Sequence, residues 1–461
     1  MQLVGLRNKS RLLVVGVILV FQFICIPTTN AAKVQSASMP ETKFVLIGNM
    51  EHSQVINNLS MQGLYHSLLF ASYLYDKGLP SKNVTAMYAL FDVNYLSHGL
   101  PDLAPLQAIE YYSVYRTAHH NGIITGALKH SLAMSCSSNS NCKVVNNLIT
   151  SSTGTQIYVF SMPNEDINAL LTALQPGYDN FKFDPILLGS TGDYVVLNAS
   201  NKSITAQTFH DAMTPPNSYP TIPKSLSNDI NFIKDIGLLK NGSATSKYAP
   251  KASGLNKNET VYLVRHVEKF ADTGEDVHPD DGNYGCLGEW RAIFKPDLIN
   301  QIVNNVLPDY LYAPNPTVTY GAANYIRATM SISPYAIKFN KGETLAPIGI
   351  GINGDKMYQY LFHIDHGGFS GPDFNNKTVF VSWESANIKK IMADLAADYA
   401  DDPNNTRGGI MGSGRLGGFD NVIKIVIDSK GNVTIESLYE GISFGALRST
   451  KTCPTWDSNG Q

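Results

Sequence analysis

"TVYLVRHVEKF", Thr260 to Phe270, decides the reading of this chain, because "KFVLIGNMEHS", Lys43 to Ser53, repeats its pattern. Each opens on a run of β-branched, aromatic and aliphatic residues of the kind that forms a buried strand. One run ends on adjacent Arg265 and His266, whereas the other has Gly48 and Asn49 at those places. The same strand written twice, once with a guanidinium and an imidazole and once with neither, points to a duplicated unit whose chemistry sits in the second copy.

The repeat continues downstream. "LSMQGLYHSLLFASYL", Leu59 to Leu74, lies under the segment around Gly288, "CLGEWRAIFKPDLINQIV". Ala104 to Tyr112 lies under Arg327 to Tyr335, and Thr155 to Leu174 under Lys377 to Ala396. From Gly63 to Ala104 is 41 residues and from Gly288 to Arg327 is 39; from Ala104 to Asn164 is 60 and from Arg327 to Ser385 is 58. Each copy reads as strand, helix, strand, helix, strand, helix and a closing hairpin, an alternation that predicts an α/β domain with a mostly parallel sheet. We therefore expect one domain over 41–214, a Pro-, Ser-, Gly- and Asn-rich linker over 215–257, and a second domain over 258–455.

Composition sets wider bounds. The 461 residues are 43% hydrophobic and 16% charged, enough apolar content for a sizeable core. A net charge of −3 with no Lys/Arg cluster excludes nucleic acid and anionic membranes as expected partners. Arg7, Lys9 and Arg11 precede an apolar run from Leu12 to Ile26 and small residues at Thr28 to Ala32. That order predicts a signal peptide over 1–32, no membrane anchor after its cleavage, and a secreted or periplasmic protein. Cys25 leaves with the signal, and four cysteines remain. Cys136 and Cys142 flank a short polar loop that could close a disulfide, which pairs Cys286 with Cys453 by elimination; free thiols are the alternative.

Arg265 and His266 stand where a strand ends, and open parallel sheets gather ligands outside the carboxyl ends of their strands. A neutral imidazole can attack phosphorus, and arginines clamp phosphoryl oxygens with planar, charge-assisted hydrogen bonds. In order along the chain, "LVRHVEK", "CLGEWRA", "YLYAPNP", "YIRATMSISPYA" and "VFVSWESANI" resemble the landmarks of the histidine phosphatase superfamily, the phosphoglycerate-mutase-like fold. The resemblance covers about Thr260 to Ala396 well and the first half mainly through the repeat. It implies two tandem three-layer α/β/α domains, a phosphohistidine formed on His266, and phosphate-binding roles for Arg265 and Arg327. A small phosphorylated substrate is expected, with no cofactor and no metal.

At one landmark the sequence departs from the family. Where most members carry a second histidine this chain reads "WES", so Ser385 takes that place. A hydroxyl donates a hydrogen bond but carries no charge, and loss of one preorganised donor costs on the order of 100-fold to 1000-fold in rate. His363 and His366, in "FHIDHGG", are candidate substitutes. Glu384, Asp281 and Asp365 are candidate proton donors to the leaving alcohol, and Glu268 is expected to orient the Arg-His loop. The alternative function is a pseudophosphatase that holds a phosphorylated or other anionic ligand without turnover. In the first copy Gly48, Asn49, Ala104 and Asn164 replace both arginines and both histidines, so that half is expected to do no such chemistry. Gly412, Gly414 and Gly417 match a dinucleotide pattern but precede a strand instead of following one, which sets that reading aside.

Overall fold

A computed structural model describes residues 41–53, 58–78, 84–89, 102–119, 128–130, 147–149, 151, 154–200, 203–221, 240–244, 247–269, 282–316, 319–320, 323–346, 354–399, 409–413, 418–440, 442 and 453. The expected signal over 1–32, the Cys136–Cys142 pair, and Asp281 lie outside the described residues. Among the described residues, no helix is long and apolar enough to cross a membrane.

The first half builds a six-stranded sheet. Its strands are β1 (Thr42–Ile47), β2 (Ala86–Ala89), β3 (Leu128–His130), β4 (Ile157–Ser161), β5 (Asp193–Ser200) and β6 (Ser203–His210), in the order β3-β2-β4-β1-β5-β6. β3, β2, β4 and β1 pair in parallel, and the β5-β6 hairpin adds two antiparallel pairings. Helices α1 (Met61–Tyr73) and α2 (Ala104–His119) supply crossovers of the kind that parallel strands require, and α3 (Asn164–Leu174) leads from β4 to the antiparallel β5.

The second half repeats that order. β7 (Lys240–Ala244), β8 (Glu259–Arg265), β9 (Tyr310–Pro314), β12 (Thr344–Ala346), β13 (Thr378–Trp383), β14 (Asn421–Ile427) and β15 (Val433–Tyr439) form a sheet ordered β12-β9-β13-β8-β14-β15-β7. A separate ribbon pairs β10 (Thr319–Tyr320) with β11 (Ala323–Asn324). β12, β9, β13 and β8 are parallel, and β14, β15 and β7 close the sheet antiparallel. Six strands thus match the first sheet one for one, and β7 is extra. It comes from the interval expected as linker, whose residues 240–244 extend the second sheet. Helices here are α4 (Cys286–Phe294), α5 (Pro296–Ile302), α6 (Arg327–Lys338), α7 (Gly354–Phe362), α8 (Ser385–Asp398) and α9 (Gly409–Ser413).

Strand alternation sorts the core into layers. Phe44 and Leu46 of β1 face α3, while Val45 and Ile47 face α1 and α2. Val261 and Leu263 of β8 face α7 and α8; Tyr262 and Val264 face α5 and α6. Each sheet is therefore covered on both faces. The inner layers are shared, since Leu68, Ile109 and Tyr112 of the first half join Trp290, Ile293, Met330 and Ile337 of the second in one buried cluster. Cys286 and Cys453 form a disulfide beside it, and Cys453 Sγ lies 3.6 Å from the Val114 carbonyl of α2.

Under each strand end runs the same buttress. The loop after β1 and the loop after β8 each offer a Glu carbonyl to the turn that starts the next helix: Ser60 N–H donates to Glu51 O at 2.7 Å, and Gly285 N–H to Glu268 O at 3.0 Å. Three residues on, Gly63 and Gly288 lie so close to these carbonyls that a Cβ would collide with them. Next, Glu51 pairs with His66 Nδ1 at 2.9 Å, and His66 Nε2 with Asp211 at 2.7 Å. In the second half Glu268 holds Arg291 at 2.7 Å, and Arg291 reaches Glu440 at 3.6 Å. Burial works to lower the His66 pKa, but the hydrogen bonds to Asp211 and Glu51 outweigh it and raise it to about 9. Glu268, expected to orient the Arg-His loop, grips Arg291 with both of its oxygens.

Candidate functional site

β8 and β13 run in parallel register as far as Arg265 opposite Trp383, and the ladder takes one more step when His266 N–H donates to Trp383 O at 2.9 Å. This extra bond sets the imidazole just beyond the strand end. His266 is buried, 5% exposed, between the rings of Tyr325 at 6.1 Å and Phe419 at 5.8 Å. Its Nδ1 lies 2.6 Å from the Val267 carbonyl. A carbonyl oxygen only accepts, so Nδ1 carries the proton and Nε2 keeps its lone pair. Burial lowers the imidazole pKa well below the usual value, and the charges of Arg327, Arg265 and Lys269 lower it further, against the Val267 bond. His266 is therefore neutral, with its lone pair on Nε2.

Two guanidiniums flank it. Arg265 lies with its central carbon 3.9 Å from the centre of the Phe419 ring. Arg327 is the first residue of α6, where the helix dipole adds positive potential. The turn at Gly282, whose φ of +74° is easy for glycine, lets one carbonyl accept from both Ile326 N–H and Arg327 N–H at 3.0 Å. The neighbouring Asn283 carbonyl accepts from the Arg327 guanidinium at 3.1 Å, and the Tyr325 ring lies 4.8 Å from it. Arg327 is only 4% exposed. Among the described residues, its Nε finds no acceptor and no carboxylate forms an ion pair with it. A buried cation without a counter-charge is costly unless an anion completes it.

Glu384 and Ser385 follow β13. Glu384 is the N-cap of α8, its carboxylate accepting from Asn387 N–H at 3.1 Å. Ser385 is half-buried at the first helical position. The structure does not bring His363, His366 or Asp365 here. Leu255 bridges His363 and Asn256 N–H donates to Phe362 O, which puts that turn at the amino end of β8. The seven-residue strand separates it from His266 by roughly 20 Å. His363 bonds Asp398, His366 bonds the Tyr360 carbonyl, and Asp365 caps its own turn. Among the described residues, no group of three or more His, Cys, Asp or Glu could hold a metal.

The matching crevice of the first half is filled. Asn164, fully buried at the first position of α3, accepts from Asn49 N–H at 2.7 Å and donates to the carbonyls of Leu187 at 3.0 Å and Ser190 at 2.9 Å. A Cβ on Gly48 would strike its Oδ1. A side chain at 48 therefore has no room while Asn164 keeps these bonds.

Phe419, Asn283 and Tyr325 complete the site and were not singled out by sequence reasoning. Phe419 follows the glycine-rich stretch whose dinucleotide reading was set aside, and Asn283 acts through its backbone, which leaves no mark in side-chain chemistry. Tyr325 had a signal, standing two residues before Arg327 in a quoted landmark.

No protein-family model matches the chain, and no curated protein matches it. Among solved structures, a phosphoserine phosphatase mutant from Entamoeba histolytica, in complex with phosphoserine, is similar at 16% identity, covering 38% of this chain and 94% of that one with a TM-score of 0.23. So partial a likeness carries no argument about function.

Proposed function

We propose that the chain is an exported phosphatase of the histidine type, acting on a phosphomonoester through His266. The observation that carries this reading is one juxtaposition: a buried neutral imidazole, its Nε2 lone pair free of the Val267 bond, beside the buried Arg327 whose charge no described carboxylate balances. Arg265 and Arg327 would hold the phosphoryl oxygens while Nε2 attacks phosphorus. The P–O bond to the alcohol breaks as the N–P bond forms, and an acid returns a proton to the leaving oxygen. Water then attacks the phosphohistidine, releasing inorganic phosphate and restoring the imidazole. Glu384 is assigned the acid role because its backbone directly follows β13 beside the site, although one of its oxygens also caps α8.

Descent from the histidine phosphatase superfamily by tandem duplication accounts for two sheets with one strand order and for matching buttresses under both. Export is supported by the Cys286–Cys453 disulfide, a bond typical of oxidising compartments. Ser385 supports a second reading, a pseudophosphatase that binds a phosphorylated ligand without turnover, since a hydroxyl leaves one charge fewer on the transferring group. Hydrolysis of an aryl phosphate by the mature chain, by His266→Ala and by Ser385→His separates the two. Turnover that vanishes in His266→Ala establishes the phosphatase; a silent wild type with a Ser385→His variant that gains turnover establishes the disarmed site. Turnover that survives His266→Ala overturns the phosphohistidine.

A further inference from the structure

We infer that Ser331 is a positioning residue that fixes which nitrogen of His266 carries the proton, an inference that deepens the proposed phosphatase reading and rests on it only for its consequence in rate. Ser331 lies one turn into α6 and is 1% exposed. Its hydroxyl donates back to the Arg327 carbonyl at 2.5 Å, the bond typical of a serine inside a helix. With its single proton used there, its lone pairs accept from Val267 N–H at 3.0 Å. Val267 is the residue whose carbonyl takes the Nδ1 proton of His266. One hydroxyl thus ties the segment bearing the imidazole to the backbone of the residue bearing the guanidinium, and it anchors Val267 by its N–H while the carbonyl of the same residue, in the next peptide, selects the tautomer. Nε2 keeps its lone pair for attack on phosphorus only while Val267 is held in this place.

The first half supplies the contrast. Ala104 to Tyr112 lies under Arg327 to Tyr335, which sets Ala108, buried and without a hydroxyl, under Ser331. The half that has lost the imidazole and both arginines has also lost the hydroxyl. Ser333, two residues on in α6, makes the same backward bond to Thr329 O at 3.1 Å but does not touch the Arg-His loop, so it serves as the internal control.

The test is ¹⁵N NMR of the His266 ring nitrogens in the mature chain without substrate, beside kcat on an aryl phosphate. The wild type and Ser333→Ala are expected to show a protonated Nδ1 and an unprotonated Nε2. Ser331→Ala is expected to show the second tautomer and a kcat lower by roughly 10-fold to 100-fold, with KM little changed, and Ser331→Thr to restore both. The near-isosteric Ser331→Cys, a weak acceptor, should move the tautomer in the same direction and serves if the alanine variant does not fold. A ring signature in Ser331→Ala or Ser331→Cys identical to wild type overturns the inference, whatever happens to kcat. Because the ring is read without turnover, a wild type that hydrolyses nothing refutes the phosphatase reading and leaves this one to be judged on the spectra.

Discussion

The crevices at the ends of β1 and β8 sit on the same frame and differ in what fills them. In the first half the Asn164 amide reaches into the space beside Gly48 and saturates its hydrogen bonds on Asn49, Leu187 and Ser190. In the second, Ser385 is too short to do so, and the space beside the strand end is bordered by Arg265, His266 and Arg327. One crevice is finished by its own side chains, whereas the other leaves the buried Arg327 cation with no described carboxylate to balance it. A frame can thus be preserved by hydrogen bonds and packing that have nothing to do with catalysis, so likeness of frame does not imply likeness of function.

The most severe way to break this contrast is to exchange its centre. His266→Ala should lower hydrolysis by roughly 10³-fold or more, whereas Asn49→Ala in the first half should leave kcat where it was. Equal losses in an aryl phosphate assay would mean that both crevices take part. Arg327→Ala comes next, with an expected fall of about 100-fold to 1000-fold in kcat/KM and weaker competition by inorganic phosphate. If phosphate competes as well as before, the buried guanidinium is not the anion site. Asn164→Ala should cost about 1–3 kcal/mol in a denaturant titration, because it leaves Asn49 N–H and two carbonyls without their partner, and should not alter turnover.

The smallest effect is one of pH, and it sharpens the comparison at the buttresses. His66 has its folded pKa raised from 6.5 to about 9, so its proton stabilises the first half fully below pH 6.5, and that contribution is lost as pH rises through 9. Arg291, in the same place in the second half, keeps its charge throughout. Alkaline titration followed by hydrogen exchange should therefore loosen α1 before α4, and simultaneous loosening would count against it. His266 runs the other way. Its pKa lies below the usual value, so the neutral nucleophile survives below pH 6.5, and turnover should persist there while overall stability declines as the unfolded chain takes up the proton.

Much of the frame was legible because strand runs and landmark spacings are local signals written twice. Arg265, His266 and Arg327 could be placed together because a parallel sheet carries its strand ends to one edge. What escaped notice depends on contacts between distant segments. Phe419 reaches His266 from just beyond a glycine-rich stretch of sequence with no periodicity, and the Val267 and Asn283 carbonyls act through backbone, which is the same for every residue type. Glu384 was read as an acid from its neighbourhood, whereas an N-cap role follows from its place just before the α8 helix, a competing use of a carboxylate that spacing alone does not reveal. β7 escaped because "KNGSA" has the composition of a linker, and only the free edge of β15 makes it a strand.

The shared inner layer also sets a timetable. A ribosome delivers the chain from its amino end, so α1 and α2 emerge with the face bearing Leu68, Ile109 and Tyr112 uncovered, and the last of the partners that cover it, Ile337, follows Tyr112 by 225 residues. At about 5–20 residues per second that gap lasts roughly 10 to 45 s. For that interval the first half presents an apolar face that its later partners have yet to cover.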